Sequence, residues 1–367
     1  MFRILRKEIN DPDRIFGLDA LRAVAACLIV YLHGNFMLEL FSPTLACIPI
    51  VDGVDLFFAL SGFLIGGIIL REINKENYTA AGLLKRFWIR RWFRTLPNYY
   101  LFLLINIFLI YTGLVKEGYL NKYLSTFFVF MQNFHKPYDF LFWESWSLSV
   151  EEWFYFLFPL ALIVAGTFLR KHKKAGFLFC ALTFVVFSTA VRFCRAPLEN
   201  FNFDIWDNFV RKLVICRLDS IGYGLMAAWM CFYYYGAWKK MAVGLFILGL
   251  AMFVIILQMG LDYSHYFSAT WHFTVTGLAS AFLLPLAEQT KKSTGRFGKA
   301  VTCLSIISYA MYLCNRGVVS SLIMNNFDYR GHPAIFYLAY WLVVIAFSAL
   351  VYNYFEKPVT DLRERFK

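Results

Sequence analysis

The sequence predicts an all-α, multi-pass integral membrane helical bundle, and three observations carry that reading. The 367 residues are 60% hydrophobic and only 16% charged. Their mean hydropathy is +0.56. Apolar runs near the roughly 20 residues that cross a bilayer as a helix recur along the whole chain. A soluble chain of this length would carry more charge and fewer than 41 phenylalanines. The short alternating segments of an outer-membrane barrel are absent.

Taken in order, spans are expected at 16–36, 47–70, 97–114, 147–169, 175–194, 210–232, 241–258, 268–288, 301–323 and 334–355. The further apolar piece LSTFFVFMQNF (124–134) is too short to cross and is expected to be re-entrant or interfacial. Charge then sets sidedness. With the N-terminus in the cytoplasm, the basic connections 71–94, 170–174, 239–240 and 291–299 and the tail EKPVTDLRERFK all fall inside. That places 25 of the 36 Lys and Arg residues there, as the positive-inside rule requires. Counting 124–134 as a crossing would move the later basic loops to the wrong side. Both termini are therefore expected in the cytoplasm.

The same distribution excludes nucleic acid as the partner behind a net charge of +12, because the cations sit in connections beside membrane lipid. The eight cysteines are scattered without paired spacing, so neither a metal site nor a disulfide framework is expected. The start, MFRILRKEINDPDR, is basic and amphipathic and precedes an anchor rather than a short signal core. A single membrane-embedded domain is expected over 1–367, with no appended soluble domain.

The first span, GLDALRAVAACLIVYLHGNF, keeps Asp19, Arg22 and His33 at membrane depth. Arg22 and His33 are eleven residues apart, leaving only about 20° of helical offset and a rise of roughly 16 Å. Asp19 lies one turn earlier on that side. A lone histidine would more simply be a satisfied interfacial residue. Three such groups on one face must each be compensated, which points to a polar passage with an imidazole at its outer end. An imidazole there suits proton transfer from a hydroxyl near neutral pH.

Four other polar islands follow. KRFWIRRWFRTLPNYY carries Lys85, Arg86, Arg90, Arg91 and Arg94 just before the third span, with Arg86, Arg90 and Arg94 at i, i+4 spacing. Topogenic charge explains part of it, yet cations interleaved with Trp and Phe also suit a multiply phosphorylated ligand with an adenine ring. WSLSVEEWFYFLFP places Glu151 and Glu152 about one turn into the fourth span, where Glu151 reaches the depth expected of His33 and could orient its ring. GVDLFFALSGFLIGG brings Asp55, read as a helix cap, and the small residues Ser61, Gly62, Gly66 and Gly67, of which the glycines are read as close helix packing. CRLDSIGYG adds Arg217 and Asp219 as an internal pair, while His272 would face the cavity.

With these residues in hand, the chain resembles the acyltransferase family 3 of integral membrane proteins. The resemblance runs from LDALRAVAACLIVYLH through GVDLFFALSGFLI, RRWFRTLPNYY, WSLSVEEWFYFLFP, CRLDSIGYG and ISYAMYL to YFEKP. It implies transfer of an acyl group, in the first place acetyl, from cytoplasmic acyl-CoA to a hydroxyl of an extracytoplasmic glycan or glycolipid. Lipopolysaccharide O-antigen is one such acceptor, and the implied location is a bacterial inner membrane. It also implies that His33 is catalytic and that Arg22, Asp55, Arg91, Arg94 and Glu151 matter to function. The late motif departs from the family: SYAMYLCN puts Asn315 where a histidine is usual, with Arg316 next.

The expected machinery is thus His33, Glu151, Arg22 and Asp55 for chemistry, and Arg86, Arg90, Arg91 and Arg94 for the acyl-CoA phosphates. Direct transfer and an acyl-histidine intermediate both fit. No permanently bound cofactor is expected, acetyl-CoA being a donor substrate. The competing class is a proton-coupled transporter or flippase using the same charges as a relay, although no inverted repeat is visible.

Overall fold

The computed structural model describes residues 3–137, 141–168, 172–196, 202–260, 266–293 and 295–366. Its long helices are α1 (Phe16–His33), α2 (Gly53–Ile73), α3 (Ala80–Tyr111), α4 (Ser145–Phe168) and α5 (Lys173–Arg195). They continue with α6 (Val214–Tyr233), α7 (Tyr235–Met259), α8 (Trp271–Gln289), α9 (Gly295–Cys314) and α10 (Pro333–Val351). No strand occurs among the described residues. Eight helical stretches there are long and apolar enough to cross a membrane, and nine if α6 joins the segment Phe203–Arg211, to which it is bent by 64°. The expected span not among these, 268–288, forms α8. Thr274, Thr276, Ser280 and Glu288 dilute its apolar run, and most of it is buried inside the bundle. The protein is a multi-pass helical membrane protein, with side chains such as Val243, Ile247 and Val254 of α7 and Ile335, Leu338 and Leu342 of α10 left exposed for lipid.

Several boundaries differ from the sequence expectation, four of them with a visible cause or consequence. The third span is expected at 97–114, but the helix begins at Ala80 and runs 32 residues through Pro97. At 1.5 Å per residue it is about 48 Å long, well beyond a ~30 Å hydrocarbon core. The stretch holding Arg86 to Arg94 is therefore helix, started by Thr79, whose hydroxyl accepts from the Gly82 amide at 3.1 Å. The second span starts at Gly53 rather than 47, because the Asp52 carboxylate caps it through the Val54 amide at 2.9 Å. The sixth is broken at 211–214. The ninth passes from α9 into a π-helical segment, Asn315–Ser320, before Ser321–Asn326. The short piece expected at 124–134 yields the five-residue helix Leu124–Phe128, too short to cross.

Two glycines bring α2 and α6 into backbone contact. A Cβ on Gly62 would lie 2.1 Å from the Ile221 carbonyl oxygen, and one on Gly224 would lie 2.2 Å from that of Ala59. This is the small-residue packing expected of a membrane interface. Gly67 takes no part, its nearest neighbour being the Arg71 side chain. The chain ends lie together: the Leu5 amide donates to Asn353 Oδ1 at 3.2 Å, and Lys357 meets Glu8 at 3.2 Å. We call this the terminal face and the opposite end of α1 the His33 face.

Candidate active site

The polar stripe of α1 turns toward α9. Asp19 is buried and receives two hydrogen bonds from Arg14, at 2.8 and 2.5 Å, and one from Ser305 of α9 at 2.7 Å. Arg22 donates to Asp19 and to Ser305, both at 3.2 Å. At the other end of the helix the His33 ring is hydrogen-bonded through Nδ1 to Asn315 Oδ1. All three groups thus find partners on α9 or its continuation, as the shared face predicts, and the His33 ring does not point into lipid.

Between these ends lies a cavity of about 300 Å³, lined among others by Arg22, Ser61, Arg91, Arg94, Glu151 and Tyr312. Arg94 also lines two neighbouring cavities toward the terminal face. One, of about 340 Å³, adds Arg86, Arg90 and Arg363; the other, of about 330 Å³, adds Arg14, Asp19 and Lys357. These cations follow from sequence: residues 86, 90 and 94 share one face of α3 at i, i+4. Their states differ. Arg86 is paired with Glu72. Arg90 and Arg94 make no ion pair among the described residues, so their forks are available to an anion. Arg91 lies with its guanidinium carbon 4.0 Å from the centre of the Tyr155 ring, and its Nε is buried without a partner.

Glu151 does not meet His33. Its carboxylate accepts from Arg91 at 3.2 Å, Ser61 at 2.8 Å and Tyr155 at 2.6 Å. The expectation of a Glu151–imidazole pair is corrected for a geometric reason. α4 begins at Ser145, so Glu151 sits about 9 Å along it, past one turn. His33 is the last residue of α1. Glu152 points elsewhere, accepting from Thr95 at 2.7 Å.

Asp55 is also relocated. The cap of α2 is Asp52, and Asp55 is 2% exposed, bonded to Arg217 of α6, to Ser220 at 3.1 Å and to Thr276 of α8 at 3.0 Å. It does not line the central cavity. Arg217 therefore pairs with Asp55 rather than Asp219, and Asp219 pairs with Arg192 of α5 at 2.7 Å, both fully buried. His272 is buried against the rings of Trp206 and Phe273 and does not line the cavity either.

The cavity lining includes Ser147 and Tyr312, whose hydroxyls are 2.6 Å apart. His33 is not part of its lining; Tyr312 lies three residues before the Asn315 that holds the ring. Around the His33 face stand groups the sequence did not single out. Asp52 accepts from Arg211 at 2.7 and 3.1 Å, and Arg211 also binds Asp207 at 2.8 Å. Glu144 accepts the amides of Arg316 and Gly317, each at 2.8 Å. The Asp52 signal was present in VDGVD, since an aspartate directly before the first helical residue is the better cap. Glu144 gave none, lying just ahead of a helix expected to start at 147.

Comparison with known proteins agrees with the resemblance. The acyltransferase domain of the Acyl_transf_3 family matches residues 15–353. Two Staphylococcus aureus proteins named O-acetyltransferase OatA, of strains NCTC 8325 / PS 47 and COL, are each 25% identical over 389 residues. Those matches cover 98% of this chain and 59% of the relatives. A further protein of strain COL, named provisionally as an O-acetyltransferase, is 29% identical over 190 residues, 46% of this chain and 28% of its own. The chain thus spans less than two thirds of the length of these relatives. No solved structure matches it. A family match over residues 15–353, nearly the whole length, leads to one statement of identity: the chain belongs to the acyltransferase 3 family.

Proposed function

We propose that this protein is a membrane-bound O-acyltransferase that moves an acetyl group from cytoplasmic acetyl-CoA to a hydroxyl of an extracytoplasmic carbohydrate. A surface polysaccharide or a lipopolysaccharide O-antigen is the acceptor class, in a bacterial inner membrane with both termini cytoplasmic. Arg90 and Arg94, with Arg91 beside them, hold the donor phosphates at the terminal face, and Arg86 joins them when released from Glu72. The pantetheine arm enters the central cavity past Arg22. Near the His33 face the acceptor oxygen attacks the thioester carbonyl, and the C–O bond forms as the C–S bond breaks. The hydroxyl proton passes to His33 and from there to the departing thiolate. General base catalysis of this kind contributes typically ~10²–10⁴-fold.

In this reading Glu151 acts through Arg91, holding that guanidinium at the cavity wall, and Asp55 acts through the packing of α2, α6 and α8. The observation that carries the reading is the placement of unpaired Arg94 and one-sided Arg91 on a cavity leading from the terminal face to Tyr312. Deleting the gene and weighing the surface glycans tests it. Loss of an acyl increment, restored by the intact gene, is expected; glycan masses unchanged by deletion would contradict it.

A further inference from the structure

We propose that Asn315 is a positioning residue that fixes the tautomer of His33, holding the ring proton on Nδ1 and leaving the lone pair on Nε2. The inference rests on the reading of His33 as the reacting imidazole and assigns which nitrogen reacts.

The argument starts from the break in the ninth span. The helix changes from α to π at Asn315, and such a change leaves backbone groups needing new partners. Two side chains supply them. Asn315 Nδ2 donates to the carbonyls of Met311 and Tyr312, both at 2.8 Å. Glu144 Oε1 accepts the amides of Arg316 and Gly317. Both amide hydrogens of Asn315 are consumed, so its orientation is decided by the backbone and not by the imidazole. Turning the amide over would face its oxygen against two carbonyl oxygens.

What remains for His33 is Oδ1, and an amide oxygen only accepts. His33 Nδ1 must therefore donate. In a neutral imidazole the other nitrogen then carries the only in-plane lone pair. The arrangement is held from further sides. Ser320 donates to the His33 carbonyl at 3.3 Å, tying the end of α1 to the same segment. Gly317 packs so closely that a Cβ there would meet Asn106 Oδ1 at 2.6 Å. The charged groups that act on the ring are Arg316 of the broken helix, Arg211 and Asp52. None bonds a ring nitrogen among the described residues, and the Asp52 carboxylate is taken up by Arg211 and the Val54 amide.

A neutral orienter of this kind does the tautomer-setting part of what a carboxylate does in a hydrolase triad, without its charge. The lone pair on Nε2 takes the acceptor proton in direct transfer, or bonds the acyl carbon if the group passes through the ring.

The test uses the intact protein in bilayers with ¹⁵N-labelled histidine. Near neutral pH, His33 should show hydrogen bound to Nδ1 and a bare Nε2; hydrogen on Nε2, or an even mixture of tautomers, would overturn the proposal. Kinetics supply a second readout. Asn315→Leu should lower kcat by on the order of 10²-fold or more, with the donor KM within about twofold, because a wrong tautomer stops chemistry rather than binding. Asn315→Asp keeps an acceptor toward Nδ1 but turns its second oxygen on the Met311 and Tyr312 carbonyls, so it should retain more kcat than Asn315→Leu, with its acid limb moved to higher pH. Wild-type kcat in Asn315→Leu, or an unchanged pH profile in Asn315→Asp, would overturn it. If instead His33→Ala retains full activity, the parent reading fails and not this one alone.

Discussion

Two of the ion pairs that hold charge inside this bundle are built in opposite ways. Asp55 and Arg217 are sealed: both are buried, and Asp55 is further bonded to Ser220 and Thr276. Arg91 and Glu151 stand on the wall of a cavity, with Arg94 unpaired beside them. A charge within a membrane protein survives either by full internal compensation or by access to water. The first solution joins helices. The second leaves donors free for a ligand, and the difference sorts the charged residues of this family member into supports and candidates for chemistry.

That division can be broken by substitution. Asp55→Ala leaves Arg217 buried without its partner, which costs about 3–5 kcal/mol. The expected result is a large loss of thermal stability in detergent, whatever ligand is present; a stable Asp55→Ala protein lacking only activity would move Asp55 into the chemistry. Arg94→Ala should leave stability near wild type while weakening donor binding about 10–100-fold, from a charged hydrogen bond worth about 1.5–3 kcal/mol. Titration with acetyl-CoA at two salt concentrations measures it, and a weaker salt dependence in the variant is expected.

Glu144 sharpens the contrast from a third position, just before α4. Burial pushes its carboxyl up to about 7, against the amides of Arg316 and Gly317 that favour the ionised form. A carboxyl raised in the folded state contributes stability that is present below its ordinary value of 4.5 and lost as pH climbs through 7. Glu144→Gln mimics the protonated group, so its melting temperature should decline less over that window than that of wild type. Identical slopes would show that Glu144 does not titrate there. Last, Glu72→Gln removes the partner of the half-exposed Arg86 and should change stability by less than ~1 kcal/mol without weakening donor binding.

The helices were legible where apolar length decides, because hydrocarbon thickness imposes the same demand on every crossing. The face shared by Asp19, Arg22 and His33 was legible for a similar reason, being fixed by helical period alone. Partners were not. Asp55 finds Arg217, Glu151 finds Arg91 and His33 finds Asn315 from other helices, and no periodicity within one segment states which segment packs beside it. Asp55, in the first turn, reads as a cap in the sequence, although Asp52 holds the better position. The helical stretch 80–96 reads as a connection in the sequence because its charge outweighs its strong helix formers and the Thr79 cap. The break at Asn315 was visible only as a departure from a motif; its geometry depends on Glu144, which lies 171 residues earlier.

The central claim is that His33 performs the transfer while the cationic cavity only holds the donor. Purified protein reconstituted in vesicles, given labelled acetyl-CoA and an acceptor glycan, separates the two roles. His33→Ala should bind the donor within about twofold of wild type and transfer at least ~10²-fold more slowly. Transfer at the wild-type rate by a folded His33→Ala protein would contradict the account.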